Sequence, residues 1–227
     1  HSRKKVYMFG GRYRPENTTG NYQMFNDFWA FDVNTDTWTE LNTSGTVPSP
    51  RANTAMVYDY TRDRVILFGG STSVSGLNFT PQDDTYILDL DRLEWRRVAG
   101  PAPTRRLFHD LVIDGTNGQA ILYGGGHEGA FVGDFYTDVW AFDLENESWE
   151  QVWTPAAGPG PDGRINPVLV EDNARGRIVL FGGHDDTQVG HRNDVWAFQY
   201  GDRTWAPVLP GDTGAGTGCN SFCNYIL

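Results

Sequence analysis

Three arginines stand in the same local setting along this 227-residue chain: Arg51, Arg106 and Arg164 each precede an aspartate by eight positions, at Asp59, Asp114 and Asp172. A guanidinium presents a planar fork of donors that fits a carboxylate or phosphate, so three of them gathered together would suit an acidic ligand. The same chemistry has a structural use, with each arginine bonded to a nearby aspartate or to loop carbonyls. His184, Asp185, Asp186 and His191 are donor types that could hold a divalent ion. Their irregular spacing makes this a weak signal, and no metal or other cofactor is expected. Cys219 and Cys223 lie near the end of the chain. In an extended segment they stand about 13 Å apart, too far for a disulfide, and only a bend there would allow one. Nucleophile-elbow, phosphate-loop and triad spacings are not visible, so no catalytic residue is assigned.

What must position these side chains is written four times. An apolar run closed by two glycines reads VYMFGG to Gly11, VILFGG to Gly70, ILYGG to Gly125 and IVLFGG to Gly183. A second run follows each: NDFWAFD (Asn26 to Asp32), DDTYILD (Asp83 to Asp89), TDVWAFD (Thr137 to Asp143) and NDVWAF (Asn193 to Phe198). The aromatic inside it, Trp29, Tyr86, Trp140 or Trp196, is followed nine positions later by Trp38, Trp95, Trp149 or Trp205. A fixed spacing inside the motif and elastic spacers between motifs, recurring at more than fifty residues, mark a repeat protein.

On these residues the chain resembles the kelch family of β-propellers over nearly its whole length. The resemblance implies an all-β fold, a β-propeller of four kelch repeats whose blades are four-stranded and antiparallel. We label the strands of a blade A to D. Val6 to Phe9, Arg64 to Phe68, Gln119 to Tyr123 and Ile178 to Phe181 are B strands; the tryptophan-bearing runs supply C and D. Strand A, which lines the central channel in kelch propellers, is assigned to Arg51–Asp59, Arg106–Asp114 and Arg164–Asp172, with Pro167 inside the third copy on a free edge. One domain is expected, with repeats over 5–58, 64–113, 119–171 and 177–208 and a closing strand over 220–227. That strand, in which Asn220 falls where Asn53 and Asn166 fall, is expected to pair with Val6 to Phe9 and remove the exposed sheet edges. A window cut from a longer array is the competing reading. Seven of the eight tryptophans belong to the motif and are expected in the core, where losing one typically costs about 3–5 kcal/mol.

In this topology the B-to-C and D-to-A loops share one face, and the variation in their length places a binding function there. The B-to-C loops carry Tyr13, Arg14, Tyr22, His127, Phe131, Phe135, His184, Asp185, Asp186 and His191. Of these, Tyr13, Tyr22, His127, Phe131, His184 and His191 are candidate contacts, since aromatic residues mixed with arginine suit hot-spot recognition; the alternative is that they pack loops together. Arg51, Arg106 and Arg164 would ring one mouth of the channel, and the resemblance implies that such arginines can take an acidic peptide.

The formal charge of −11 excludes a nucleic-acid role, which needs a basic surface, and no apolar run is long enough to span a bilayer. Four Asn-x-Ser/Thr sequons, at Asn17, Asn42, Asn78 and Asn146, fall in expected loops and lean the reading towards a secreted or cell-surface glycoprotein. If glycosylated, the chain would meet partners through its third and fourth repeats. The sequence thus points to a non-catalytic propeller that binds a protein or peptide. The alternatives are a carbohydrate-binding or carbohydrate-active propeller using Tyr13, Tyr22 and Trp153, or a structural ring in a larger assembly.

Overall fold

In the computed structural model, which describes residues 3–16, 19–76, 78–131, 135–185 and 190–211, the repeated runs form four successive antiparallel meanders. The first sheet holds β1 (Lys5–Tyr13), β2 (Gln23–Asp32) and β3 (Thr37–Glu40) in the order β1-β2-β3. The second is built from β4 (Ser44–Gly45), β5 (Ala55–Asp59), β6 (Arg64–Phe68), β7 (Thr85–Asp89) and β8 (Glu94–Arg97), ordered β4-β8-β7-β6-β5. In the third, β9 (Leu107–Asp114), β10 (Gln119–Gly126), β11 (Val139–Asp143) and β12 (Ser148–Trp153) lie in sequence order. The fourth begins with β13 (Val168–Asp172) and β14 (Arg177–Phe181), and a short ribbon of β15 (His184–Asp185) and β16 (Gly190–His191) interrupts it. It then ends with β17 (Val195–Gln199) and β18 (Thr204–Leu209). The expected closing strand, 220–227, lies outside the described residues, as do Cys219 and Cys223, and among the described residues the sheets are not closed into a ring.

Buried clusters lie between consecutive sheets, which is why the inner strands are apolar on both faces: every residue of β6 is buried. Each D-strand tryptophan reaches back onto the preceding sheet. Trp95 sits 5.5 Å from Phe9 and 5.8 Å from Phe28, Trp149 lies 5.2 Å from Phe68, and Trp205 lies 5.3 Å from Tyr123. Trp38 corrects the expectation that these tryptophans are all core. It rests on Phe31 of its own sheet and is 49% exposed, because among the described residues no sheet precedes its own.

Strand A is shorter than expected at two of its three starts. β5 begins at Ala55 and β13 at Val168, so Arg51, Arg164 and Pro167 precede the ladder. Asn53 (φ 59°) and Asn166 (φ 50°), both left-handed, lie between these arginines and their strands, and Phe108 (φ 59°) takes the same conformation inside β9 without ending it. These residues bond to one another, Phe108 N–H to the Asn53 carbonyl at 3.1 Å and Asn166 N–H to the Phe108 carbonyl at 2.7 Å, and so tie successive sheets together at the inner strands. β1 is longer than expected, because Gly10 and Gly11 form a bulge inside it rather than ending it. β4 was not foreseen; it pairs in parallel with β8 and stitches the connection after the first sheet onto the second.

The three arginines lock this arrangement from within. Arg51, Arg106 and Arg164 are 1%, 0% and 0% exposed. Arg51 grips Asp84 through both Nη atoms at 2.5 and 3.0 Å, Arg106 grips Asp138 at 3.0 and 3.0 Å, and Arg164 grips Asp194 at 2.5 and 2.9 Å. Each Nη1 also donates to a glycine carbonyl of its own sheet, Gly69, Gly124 or Gly182, and each Nε donates to the carbonyl two residues back. The arginine's own carbonyl accepts from a glycine of the sheet before it: Gly11 to Arg51, Gly70 to Arg106 and Gly125 to Arg164, all within 2.9 Å. One residue therefore joins two blades. Burial works against the charge of Asp194, but the Arg164 guanidinium outweighs it and holds the carboxyl below the ordinary range.

His109 of β9 is buried against Phe68, with ring centroids 5.3 Å apart. Burial, helped by the charge of Arg106, pushes its pKa from 6.5 down to about 3. The unfolded chain accepts a proton below pH 6.5 that the folded chain refuses until about pH 3. This contribution to stability is thus complete above pH 6.5 and lost as the pH falls through that window. His109→Leu is expected to remove about 3 kcal/mol of the stability lost between pH 7 and pH 4, measured by urea denaturation at both pH values. An unchanged difference would place the acid sensitivity elsewhere. Arg106→Met leaves Asp138 and the Gly124 carbonyl without their cation and should cost about 3–5 kcal/mol. An unfolding free energy within about 1 kcal/mol of the parent would show that the clamp does not hold the blades.

Candidate binding face

The clamp geometry answers the first sequence expectation directly. Arg51, Arg106 and Arg164 do not ring an open channel mouth; their guanidinium groups are buried and engaged by aspartate and carbonyl oxygens. A ligand would have to displace a bidentate intramolecular partner, so the ligand-binding role is replaced by the structural one. Pairs of residues 30 to 33 apart in sequence had to be matched to see this, and the motif aspartates Asp84, Asp138 and Asp194 are the partners the sequence already displayed.

The loop candidates divide sharply. Phe131 packs with Phe79 and Phe108 at 5.5 and 5.7 Å, in a small cluster with Leu107 and Ala130, and holds the loops of the second and third sheets together. His184 is only 9% exposed and stacks near His191 with ring centroids 4.7 Å apart, while Asp185 accepts from Arg192 Nε at 2.6 Å. Asp186 lies outside the described residues. His127 is part-exposed, and its Nδ1 accepts the Gly129 N–H at 3.0 Å, which shapes its own turn. Among the described residues the third and fourth repeats therefore offer less open recognition chemistry than the sequence suggested.

The first two repeats offer more. Because β1 continues through the glycine bulge, Arg12 and Tyr13 are strand residues, and the β1–β2 ribbon projects beyond the sheet. Arg14 follows the last residue of β1, and both it and Arg12 reach the ring of Tyr22. Tyr13 is 57% exposed. The Tyr22 ring is capped by both guanidinium groups, each carbon 4.4 Å from the ring centroid. Arg14 also donates to the Gly20 carbonyl at 3.2 Å, and neither arginine forms an ion pair with any described residue. Tyr22 in turn ties its loop to the second sheet through its N–H, 2.8 Å from the Val74 carbonyl. Arg14, Gly20, Asn21, Tyr22, Ser75 and Gly76 line an open cleft of about 500 Å³ between these loops. Sequence reasoning singled out Tyr13, Arg14 and Tyr22 but passed over Arg12, whose signal was its spacing of two from Arg14 at the end of a strand that runs on past the glycine pair.

Of the sequons, Asn17 lies outside the described residues, and Asn42, Asn78 and Asn146 are exposed. Asn146 sits in the tight turn between β11 and β12 and uses its Nδ2 to bond Asp143 at 2.9 Å, a contact that a glycan would have to replace. Among the described residues no helix is long and apolar enough to cross a membrane.

The comparison with known proteins agrees with this architecture. A family model described as the KLHDC2/KLHL20/DRC7 Kelch-repeats domain matches residues 1–221. Kelch domain-containing protein 3 of Rattus norvegicus is 28% identical over 214 residues, which cover 90% of this chain and 51% of that protein. Acyl-CoA-binding domain-containing protein 5 of Arabidopsis thaliana is 28% identical over 198 residues, covering 84% of this chain and 26% of that protein. Host cell factor homolog hcf-1 of Caenorhabditis elegans is 26% identical over 219 residues, covering 89% and 26%. The chain thus spans between a quarter and a half of these relatives. The solved structure of YjhT superposes with a TM-score of 0.66 at 16% identity, over 93% of this chain and 65% of that one, a likeness of fold alone. Four copies of one glycine-paired, tryptophan-bearing sheet and a family match over almost every residue lead to one conclusion: the chain belongs to the kelch-repeat family.

Proposed function

We propose that this kelch module binds a protein partner through the loop face of its first two blades, taking an acidic segment between Arg12 and Arg14. The observation that carries the reading is the pair of guanidinium groups on one tyrosine ring, neither in an ion pair with a described residue. Every arginine of the blade clamps has its aspartate, and two arginines without an ion pair among the described residues are a contrast in a chain of net charge −11. Two like charges set on one ring repel; a carboxylate bound beside them relieves that repulsion and gains charge-assisted hydrogen bonds. Tyr22 fixes both cations in advance, so less side-chain freedom is lost on binding. The cleft beside them and the exposed ring of Tyr13 supply the neutral contacts that a peptide backbone and an apolar side chain would use.

The probe is a fluorescein-labelled hexaglutamate peptide followed by anisotropy. Binding is expected, and it should weaken as salt is raised, because the contact is solvent-facing. The double variant Arg12→Glu, Arg14→Glu should abolish it, with the melting temperature unchanged because neither side chain is part of a clamp. Tyr22→Ala should weaken binding by about tenfold through loss of the shared ring. Equal affinity for the parent and the double variant would reject the site.

A further inference from the structure

Trp95, Trp149 and Trp205 each rest on a ring of the preceding sheet's B strand, and two of them also meet a second ring of that sheet. Trp95 has Phe28 edge-on at 5.8 Å, and Trp205 has Trp153 edge-on at 6.5 Å. Among the described residues Trp149 has Phe68, at 5.2 Å, as its one aromatic neighbour from the sheet before it. The two positions that supply the second ring elsewhere hold small side chains here. Thr85 follows the motif aspartate, where Phe28 stands in the first repeat, and Ala99 follows the D-strand tryptophan by four, where Trp153 stands in the third. Trp95 and Trp205 are 1% and 5% exposed, whereas Trp149 is only partly buried. A cavity of about 190 Å³ lies beside it, and its lining includes Asp83, Thr85, Val98, Ala99, Pro101 and Trp149. Thr85 Oγ1 accepts the Trp149 Nε1–H at 2.9 Å, which fixes the indole as one wall.

We propose that this cavity between the second and third sheets receives a tryptophan side chain of a partner protein. The molecule supplies the template, because in the next pair of sheets Trp153 fills the corresponding place and packs on Trp205 at 86°. An indole wall that borders open space forfeits dispersion contacts, and a ring set edge-on against it restores them. A cavity of about 150 Å³ already takes a benzene ring, so the volume here suits a single side-chain ring system. The charge of Asp84 is taken by Arg51, so that wall does not call for a cation. Asp83 is exposed at the rim and offers an acceptor for a ring N–H, which a phenylalanine lacks. Tryptophan is also among the residues that most often anchor a partner in a pocket. The loop after β8 forms the mouth, and the pocket shares no lining residue with the cleft beside Arg14 and Tyr22.

The probe is N-acetyl-tryptophanamide, titrated into the isotope-labelled chain and followed through the indole N–H signals in proton–nitrogen correlation spectra, with that of Trp149 assigned by Trp149→Phe. A saturable shift of the Trp149 signal is expected at millimolar probe, and N-acetyl-alaninamide should leave that signal in place. Ala99→Trp reproduces the arrangement of the third repeat. It should weaken binding by at least about tenfold, with a melting temperature unchanged or raised, because the added ring fills the space. Ala99→Leu, the side chain that Leu209 places there in the fourth repeat, makes the same test if Ala99→Trp does not fold. The double variant Arg12→Glu, Arg14→Glu should bind the probe as the parent does. Absence of a saturable shift overturns the proposal, as does unchanged affinity in a folded variant at Ala99. Binding that is lost with Arg12 and Arg14 overturns it too, and so does an equal response to methyl β-glucoside, which would make the pocket a sugar site.

Discussion

A buried arginine that grips an aspartate of its own blade and offers its carbonyl to a glycine of the blade before is the interaction on which this molecule depends. A buried ion pair is not stabilising in itself, because desolvating both charges offsets much of their attraction. What it supplies is geometry. The guanidinium can satisfy a bidentate carboxylate, a glycine carbonyl and its own loop at once only if the A, B and C strands of one sheet and the B strand of its neighbour are all in place. Each clamp thereby fixes the angle at which one blade meets the next.

The glycine pairs follow from the same constraint. Gly10, Gly69 and Gly124 have positive φ, and a Cβ on any of them would fall 2.7–2.8 Å from the carbonyl oxygen of Arg51, Arg106 or Arg164. A side chain cannot stand where the next clamp's backbone already lies. The two most visible marks in the sequence, the paired glycines and the arginine that opens strand A, are therefore two ends of one contact. A chain free to vary its B-to-C loops has no such freedom here, which separates the residues that hold the blades from those that can evolve towards a partner.

The fold was legible because its signals are local and repeated. Trp29 and Trp38, or Trp140 and Trp149, announce a hairpin whose strands differ only by a tight turn, and Asp32, Asp89 and Asp143 cap those turns through backbone N–H groups. The candidate site was less legible because exposure is not local. Arg106 and Arg14 carry the same side chain, and only the position of Asp138 makes one a structural clamp and leaves the other open. Phe131 read as a recognition aromatic because Phe79 and Phe108, its packing partners, come from other loops. Phe108 also adopts a left-handed conformation that its residue type does not suggest, whereas Asn53 and Asn166 at the equivalent positions do suggest it.

Position in the array finally explains why identical motifs behave differently. Trp95, Trp149 and Trp205 are sheltered by the sheet before them, and Trp38, with the same spacing and the same hairpin, is half exposed. The mirror situation holds at the other end: Phe9, Phe68 and Tyr123 each receive a tryptophan from the following sheet, and Phe181, at the same strand position, is 52% exposed. A blade therefore carries a donor face and an acceptor face rather than a self-contained core, and its stability is shared with its neighbours. The inner sheets, with both faces covered, form the stable part of the molecule. The first sheet, like the fourth, is covered on one side only among the described residues, so it opens locally at lower cost than the inner sheets. The Arg12–Tyr22–Arg14 cluster is carried on a ribbon of that sheet, and its link through Tyr22 to Val74 anchors a binding surface at the edge of the array to its better-packed neighbour.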